Sequence, residues 1–431
     1  MKKTNKKILI IGGLGHWSNK TYLPALNDKF CLNKPIICDI IDSNLKDYIK
    51  LDKFNFKKNI SIIKSAIDKF GINVVIITTP PEYHHIYLKG LLGKEVDIIC
   101  DKPLIVFNDV KNILKEYYYI KKHKTKKIYS PLRRQVQSFY KKLYEEIERI
   151  HKNFGQNVKF VFYYENDGVH RWDCEMEIDF CHGYASGLGK LSHTGYHIID
   201  VVRTIITKGC SNIKNLECEI LDKNLVGDNC NSKSIQILKK LLGLNIDTSS
   251  KLKDKTKQAE LDITVKYTIN FFEDNPSYIY LHLRHSGISQ REIPLYDDKN
   301  TGDQGRTDNS VFFVEQGALQ NIFGAVFADS SSSGSKGNSY LTIKRHFRCA
   351  ELLKKDVVEF YNVDNSQELQ NVEIIRELIL ATTDKKLESK YKDIEFDSEE
   401  LTMELFVASL ISKRDNKKII WEVGKLYDNL H

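Results

Sequence analysis

No stretch of this 431-residue chain approaches the roughly 18 consecutive apolar residues that a membrane span requires. The longest apolar runs are short pieces such as Ile8–Ile11 and Val74–Thr78. The basic N-terminus followed by an apolar patch imitates a secretory signal. That patch is only four residues long, however, against about 7–15 for a signal core, so it reads as a first strand. No C-x-x-C pair occurs, and the nine cysteines are odd in number. Cys38 and Cys100 sit in apolar segments, where a thiol behaves as a small hydrophobe. This argues against a disulfide scaffold and for a reducing, cytoplasmic location. There is no internal repeat and no long basic tail. The 65 basic and 57 acidic residues leave a net charge of +8, with lysines interleaved among Asp and Asn. A nucleic-acid binder would gather that excess on one face or in a tail. The expectation is therefore a lysine-rich surface with neither a nucleic-acid nor a membrane partner. The excess can also draw in a phosphate-bearing ligand.

What is present is the composition of a folded protein, 41% hydrophobic and 28% charged, with length for two or three domains. In the first 125 residues short apolar runs alternate with helical stretches. Lys7–Gly12, Pro35–Asp39, Val74–Thr78 and Asp97–Cys100 read as strands, with Lys127–Tyr129 as a last one. Ser18–Phe30, Glu82–Leu92 and Asn108–Lys122 read as helices. The strands are nearly continuous in Val and Ile, the pattern of strands buried on both faces. This predicts an α/β, doubly wound parallel sheet. After a long amphipathic helix over Gln135–Phe154 the texture changes. Val158–Tyr164, Leu261–Phe272, Tyr278–His285 and Leu341–Phe347 alternate in part, which predicts an α+β domain with a large open, mainly antiparallel sheet. Helices at His193–Ile206 and Glu399–Ser412 should cover one face of it. The expected division is residues 1–128 and residues 129–431, with a polar surface insertion near 207–258. Ser330–Ser339 reads as low-complexity loop.

Gly12-Gly13-Leu14-Gly15-His16-Trp17-Ser18 follows the first strand and opens a helix, the setting in which a G-x-G-x-x-G pattern binds a dinucleotide. Gly13 permits the tight turn. Gly15 leaves room for a pyrophosphate against backbone N–H groups, and Ser18 replaces the third glycine with a small residue. The second strand ends at Asp39, 21 residues after Ser18. A carboxylate there accepts hydrogen bonds from ribose hydroxyls and repels a 2′-phosphate, favouring NAD over NADP. Asp42 is the competing acidic residue.

Three further motifs follow in order: Thr78-Thr79-Pro80-Pro81-Glu82-Tyr83-His84, then Gly93-Lys94-Glu95-Val96, then Cys100-Asp101-Lys102-Pro103-Leu104. Later comes Gly187-Leu188-Gly189-Lys190-Leu191-Ser192-His193-Thr194-Gly195-Tyr196-His197-Ile198-Ile199-Asp200. Over roughly residues 5–205 the series resembles the Gfo/Idh/MocA family of NAD(P)-dependent oxidoreductases. That family carries a TPP-x-x-H turn, a G-K-x-V strand start, an (E/D)-K-P tripeptide and D-x-G-x-H-x-x-D. Here His193 replaces the first Asp of the last motif, and Asp101 stands where Glu is commoner.

The resemblance implies that Lys102 and His197 flank the reacting carbon. His197 would be the proton acceptor, its ordinary pKa lying near 6.5, and Lys102 would stabilise alkoxide charge or itself act as the base. A cis Lys102–Pro103 bond would aim the lysine into the cleft. His193 joins them as a catalytic or substrate residue, with Asp200, Arg171 and Trp172 also set toward substrate. The cofactor set is Gly13, Gly15, His16, Trp17, Asp39, Thr79, Pro80, Pro81, His84, Asp101, Lys102 and Arg134. The Gly302–Arg306 loop is a softer candidate. His193 and His197, four apart, could also chelate zinc with Cys174, Cys181 or His182, but the glutamate of H-E-x-x-H is missing, so no metal is expected. The expected activity is an NAD-dependent dehydrogenase or reductase acting on a ring hydroxyl or ketone of a sugar, nucleotide-linked sugar or cyclic polyol. Two rivals keep the fold: transient oxidation enabling elimination, as in NAD-dependent glycosidases, and a non-catalytic NAD- or sugar-sensing scaffold. Relatives also imply a homo-oligomer.

Overall fold

The computed structural model describes all residues except 1–3, 16–17, 28–29, 32, 108, 169–183, 185–186, 231, 242–253, 287–305, 332–333, 365–370 and 431. Its strands, in chain order, are β1 (Ile8–Ile11), β2 (Ile36–Asp39), β3 (Tyr48–Lys50), β4 (Val74–Ile77), β5 (Asp97–Cys100) and β6 (Ile128–Tyr129). They form one parallel sheet in the order β3-β2-β1-β4-β5-β6. Every residue of β1 and β4 is buried, as the unbroken Val/Ile runs predict for strands covered on both faces. Ile10 stands beside Ile37 on one side and Ile76 on the other. Chain order reverses between β1 and β4, and the loops at the C-terminal ends of these strands form the crevice where such sheets hold ligands.

The helix expected over Ser18–Phe30 is shorter: a π turn at Ser18–Tyr22 runs into Leu23–Ala25 and stops. Pro24, in the opening turn of the α segment, lacks an N–H where none is needed. A helix at Phe56–Phe70, which the apolar pattern did not single out, is closed at both ends by local chemistry. Asn55 accepts the Lys58 N–H, and Gly71 takes the left-handed φ of +64° that ends it.

The chain divides into two units, one of Met1–Val136 with Leu369–Met403, the other of Gln137–Glu368 with Glu404–His431. The late segment completes the first unit. Phe396 stacks on Tyr117 at 4.6 Å between ring centroids, and its carbonyl accepts the Tyr117 hydroxyl at 2.7 Å. The Ser130 N–H donates to the Ile394 carbonyl.

Among the described residues the second unit holds nine strands: β7 (Phe160–Gly168), β8 (Ile213–Leu225), β9 (Glu260–Phe271), β10 (Ser277–Arg284), β11 (Arg306–Gln316), β12 (Gln320–Ser331), β13 (Gly334–Arg345), β14 (Val358–Asp364) and β15 (Ile419–Trp421). Their order is β14-β13-β12-β11-β7-β10-β9-β8-β15, antiparallel throughout except for β7 beside β10. Two sequence expectations change here. β8 lies inside 207–258 yet pairs along its length with β9, so surface character begins only after it. The Ser/Gly run expected as a loop at 330–339 is mostly the ends of β12 and β13, whose register extends to Ser331 opposite Gly334. Backbone pairing along a long hairpin overrides a composition that looks like loop.

One sheet face takes the helix Ser138–Phe154, which buries Phe139, Leu143, Ile147 and Ile150. Glu146 and Arg345, both wholly buried, pair at 2.6 Å, with Lys142 and Glu359 closing a four-charge cluster between this helix and β13–β14. The other face carries a registered row across seven strands: Lys266, Tyr280, Phe162, Phe313, Phe323, Thr342 and Phe360. Phe323 and Phe360 are 48% and 78% exposed. Among the described residues no helix is long and apolar enough to cross a membrane.

Candidate active site

In the first unit, the β1 turn is built around Gly12 rather than Gly13. Gly12 takes φ +82°, and a Cβ there would come within 2.9 Å of the Thr79 nitrogen, so only glycine fits. Its N–H donates to the Cys38 carbonyl, and its carbonyl accepts the Thr78 hydroxyl at 2.9 Å. Gly13 instead permits close packing on Ile37, which a Cβ would meet at 2.7 Å. At Gly15 a Cβ would make ordinary contact with the Gly12 carbonyl, at 3.5 Å, without the clash found at Gly12 and Gly13. Ser18 is buried, as close packing at the third glycine position demands. His16 and Trp17 lie outside the described residues.

Asp39, at the end of β2, is 5% exposed. One carboxylate oxygen accepts the Leu14 N–H at 2.8 Å, and the other accepts the Ile41 N–H at 3.1 Å. The acid thus holds the glycine turn itself. Asp42 faces solvent and pairs with Lys50 at 2.7 Å, which leaves Asp39 as the acid of the turn.

Thr79, Pro80 and Pro81 follow β4, half-buried, and lead into a 3-10 turn at Pro81–Tyr83. Asp101 and Lys102 follow β5, also partly exposed, and the Lys102–Pro103 bond is cis. Asp101 accepts the Lys102 N–H at 2.9 Å. Burial pushes the Asp101 carboxyl above its ordinary value, against the nearby cations Lys102 and His84. His84 lies fully inside, with its ring nitrogens on the Pro103 and Thr79 carbonyls. Arg134 is buried in a 3-10 turn at Arg133–Gln135. The structure therefore gathers Asp39, Thr79–Pro81, Asp101 and Lys102 at the C-terminal ends of the parallel strands.

In the second unit, His193 sits in a π turn at Leu191–Gly195, and His197 opens the helix Tyr196–Gly209; both are half-buried. Asp200 is wholly buried and held by Arg203 one turn on, at 2.7 Å. Arg171, Trp172, Cys174, Cys181, His182 and residues 302–305 lie outside the described residues.

Sequence reasoning passed over a polar chain beside His193. Lys190, with no exposure, pairs with buried Glu165 at 2.9 Å and donates to the Thr194 hydroxyl at 2.5 Å. Thr194 reaches His285 Nε2 at 3.4 Å, and His285 Nδ1 bonds the Tyr184 hydroxyl. The His193 ring stands 5.4 Å from that of His285 and 6.2 Å from that of Tyr184. Lys190 lay in the quoted glycine cluster. His285, at the end of β10, carries no local signal that links it to residue 193.

This geometry can be set against known proteins. Residues 6–148 match the Gfo/Idh/MocA family model, described as the oxidoreductase family with an NAD-binding Rossmann fold. The matched segment belongs to this family. No curated protein matches the chain. Among solved structures, an inositol dehydrogenase homologue from Azotobacter vinelandii, complexed with NAD+, superposes with TM-score 0.57 at 10% identity, covering 97% of each chain. The aldose-aldose oxidoreductase of Caulobacter crescentus, complexed with glycerol, gives 0.57 at 11% identity, over 96% of this chain and 99% of that one. An Agrobacterium radiobacter oxidoreductase in complex with NAD+, L-tartaric acid and magnesium gives 0.52 at 12%, over 98% and 100%. At these identities the likeness shows the fold alone.

Proposed function

We propose that the protein is an NAD-dependent oxidoreductase acting on a ring hydroxyl or ketone of a sugar, nucleotide-linked sugar or cyclic polyol. The observation that carries this reading is the grip of the Asp39 carboxylate on the glycine turn. A carboxylate in that place accepts from ribose hydroxyls and opposes a 2′-phosphate. Gly12, Gly15, Asp39 and Thr79–Pro81 are the residues that would hold the dinucleotide. When bound, NAD supplies the hydride acceptor or donor. By the resemblance, His197 is the group that would take a proton from a substrate hydroxyl, and Lys102 the group that would steady alkoxide charge. His193, on the wall formed with His285 and Tyr184, orients substrate. The solved structures of an inositol dehydrogenase homologue and an aldose-aldose oxidoreductase support a polyol or sugar as substrate class.

Cys38, Cys100, Cys210, Cys218 and Cys349 are buried thiols outside any disulfide, which supports a reducing, cytoplasmic setting. The exposed aromatic row of the second sheet supports self-association through that face. The test is a panel of cyclic polyols and sugars assayed for cofactor reduction. Lys102→Met and His197→Ala should each abolish turnover, by roughly a hundredfold or more, while NADH still binds. Turnover surviving in both variants, or no cofactor reduction across the panel, would overturn the assignment.

A further inference from the structure

We propose that His84 is a positioning residue, held as an imidazolium, that ties the Thr79 turn to the Lys102–Pro103 turn. His84 is 0% exposed. Its Nδ1 lies 2.9 Å from the Pro103 carbonyl oxygen, and its Nε2 lies 2.7 Å from the Thr79 carbonyl oxygen. Carbonyl oxygens only accept hydrogen bonds, and a neutral imidazole carries a single N–H. A neutral ring would therefore press one bare nitrogen lone pair against an oxygen lone pair at hydrogen-bond distance. An imidazolium donates to both carbonyls, through charge-assisted bonds about twice as strong as neutral ones.

The opposing influence is burial, the largest single one, which holds the His84 pKa below its ordinary value. Facing it are the Asp101 carboxylate, the two carbonyls and, more weakly, Glu82, all favouring the charged ring. The cation nearby is Lys102, which shares Asp101 with His84; the neighbouring His85, its pKa pushed down to about 4 by burial, is neutral at pH 7. Asp101 is anchored in the same turn by the Lys102 N–H, so the cation and its counter-charge are built together. Two acceptor-only partners on one enclosed ring decide the balance for the charged form. The clamp fixes the carbonyl of Thr79 and that of Pro103, the residue after Lys102. Its consequence for cofactor and lysine placement rests on the oxidoreductase reading; its charge state does not.

The test uses the full chain with 15N-labelled histidine and 13C-labelled aspartate, read by NMR, with Asp101 assigned by loss of its signal in Asp101→Asn. Wild type should show two protonated His84 nitrogens at pH 7. In His84→Gln, whose side chain is uncharged, the Asp101 titration midpoint should rise by about one pH unit, tenfold in proton affinity, because a carboxylate has lost an adjacent cation. NADH binding should weaken about tenfold in the same variant. A bare His84 nitrogen at pH 7, or an unmoved Asp101 midpoint in folded His84→Gln, overturns the charged clamp. Unchanged NADH binding overturns its positioning role. If His84→Gln does not fold, His84→Asn and the wild-type spectrum decide. If wild type itself fails to bind NADH, the proposed function falls, while the two spectral readouts still judge the clamp.

Discussion

Replacing Asp39 separates the task its hydrogen bonds show, holding the turn, from the one proposed for it, selecting the cofactor. Asp39→Ala removes the acceptor for two backbone N–H groups, those of Leu14 and Ile41. Ile41 is 53% exposed, so its N–H finds water; the Leu14 N–H lies in the part-buried turn. The stability cost therefore comes mainly from one orphaned donor, about 1–3 kcal/mol. Asp39→Asn keeps one acceptor oxygen for Leu14 and should cost about 1 kcal/mol or less. Both variants lose the charged acceptor for ribose hydroxyls, a term of about 1.5–3 kcal/mol, or roughly 10- to 150-fold in NADH affinity. Removing the negative charge also lifts its repulsion of a 2′-phosphate, so NADPH affinity should hold or rise. The assay is fluorescence titration with NADH and NADPH, alongside urea unfolding of each variant. An Asp39→Asn protein that stays folded and keeps wild-type NADH affinity and selectivity would refute the role given to this carboxylate.

Arg345→Met should lower stability by about 1.5–3 kcal/mol in urea unfolding, because it removes the shortest charge-assisted hydrogen bond of the wholly buried Glu146 carboxylate, which keeps Lys142; Arg345→Met with Glu146→Leu should recover most of it. Ion pairing and hydrogen bonds hold Glu146 and Glu359 below their ordinary pKa against burial, and donors from Ser286 and Asn224 do the same for Asp262. Groups depressed in the folded state stabilise it fully above their unfolded values and lose that contribution as pH falls through the folded ones. Stability should accordingly be flat toward neutrality and decline below about pH 4.5, and a thermal melt series that declines instead on raising pH from 5 to 7 would contradict this. Phe323→Glu, on the exposed aromatic row, should shift the protein toward monomer in light scattering without altering its circular dichroism; an unchanged mass would exclude that face as the interface.

Local pattern carried a good deal of this. Unbroken Val/Ile runs such as Ile8–Ile11 and Val74–Ile77 can be satisfied only by burial on both faces, so the parallel sheet was readable before any coordinates. The glycine turn, the TPP turn and the Asp-Lys-Pro tripeptide were readable too, because each places special residues within a few positions of one another. The helix ends were less so: the segment after Ser18 stops at Ala25 rather than running to Phe30.

What the tertiary structure decided is what depends on partners distant in sequence. Periodicity could not reveal that Gly12, not Gly13, needs the left-handed backbone, because the reason is the close approach of Thr79, 67 residues away. Nor could it show that the polar 207–258 stretch opens with a paired strand, or that Asp200 spends its charge on Arg203. The Lys190–Thr194–His285–Tyr184 chain spans 101 residues between its last two members. The sequence by itself determined the sheet type, the cofactor turn and the residues able to do chemistry, since these follow from neighbouring side chains. Which of those residues are enclosed, and which groups their donors and acceptors meet, was decided only by the fold, because burial and hydrogen bonding depend on what the folded chain brings alongside.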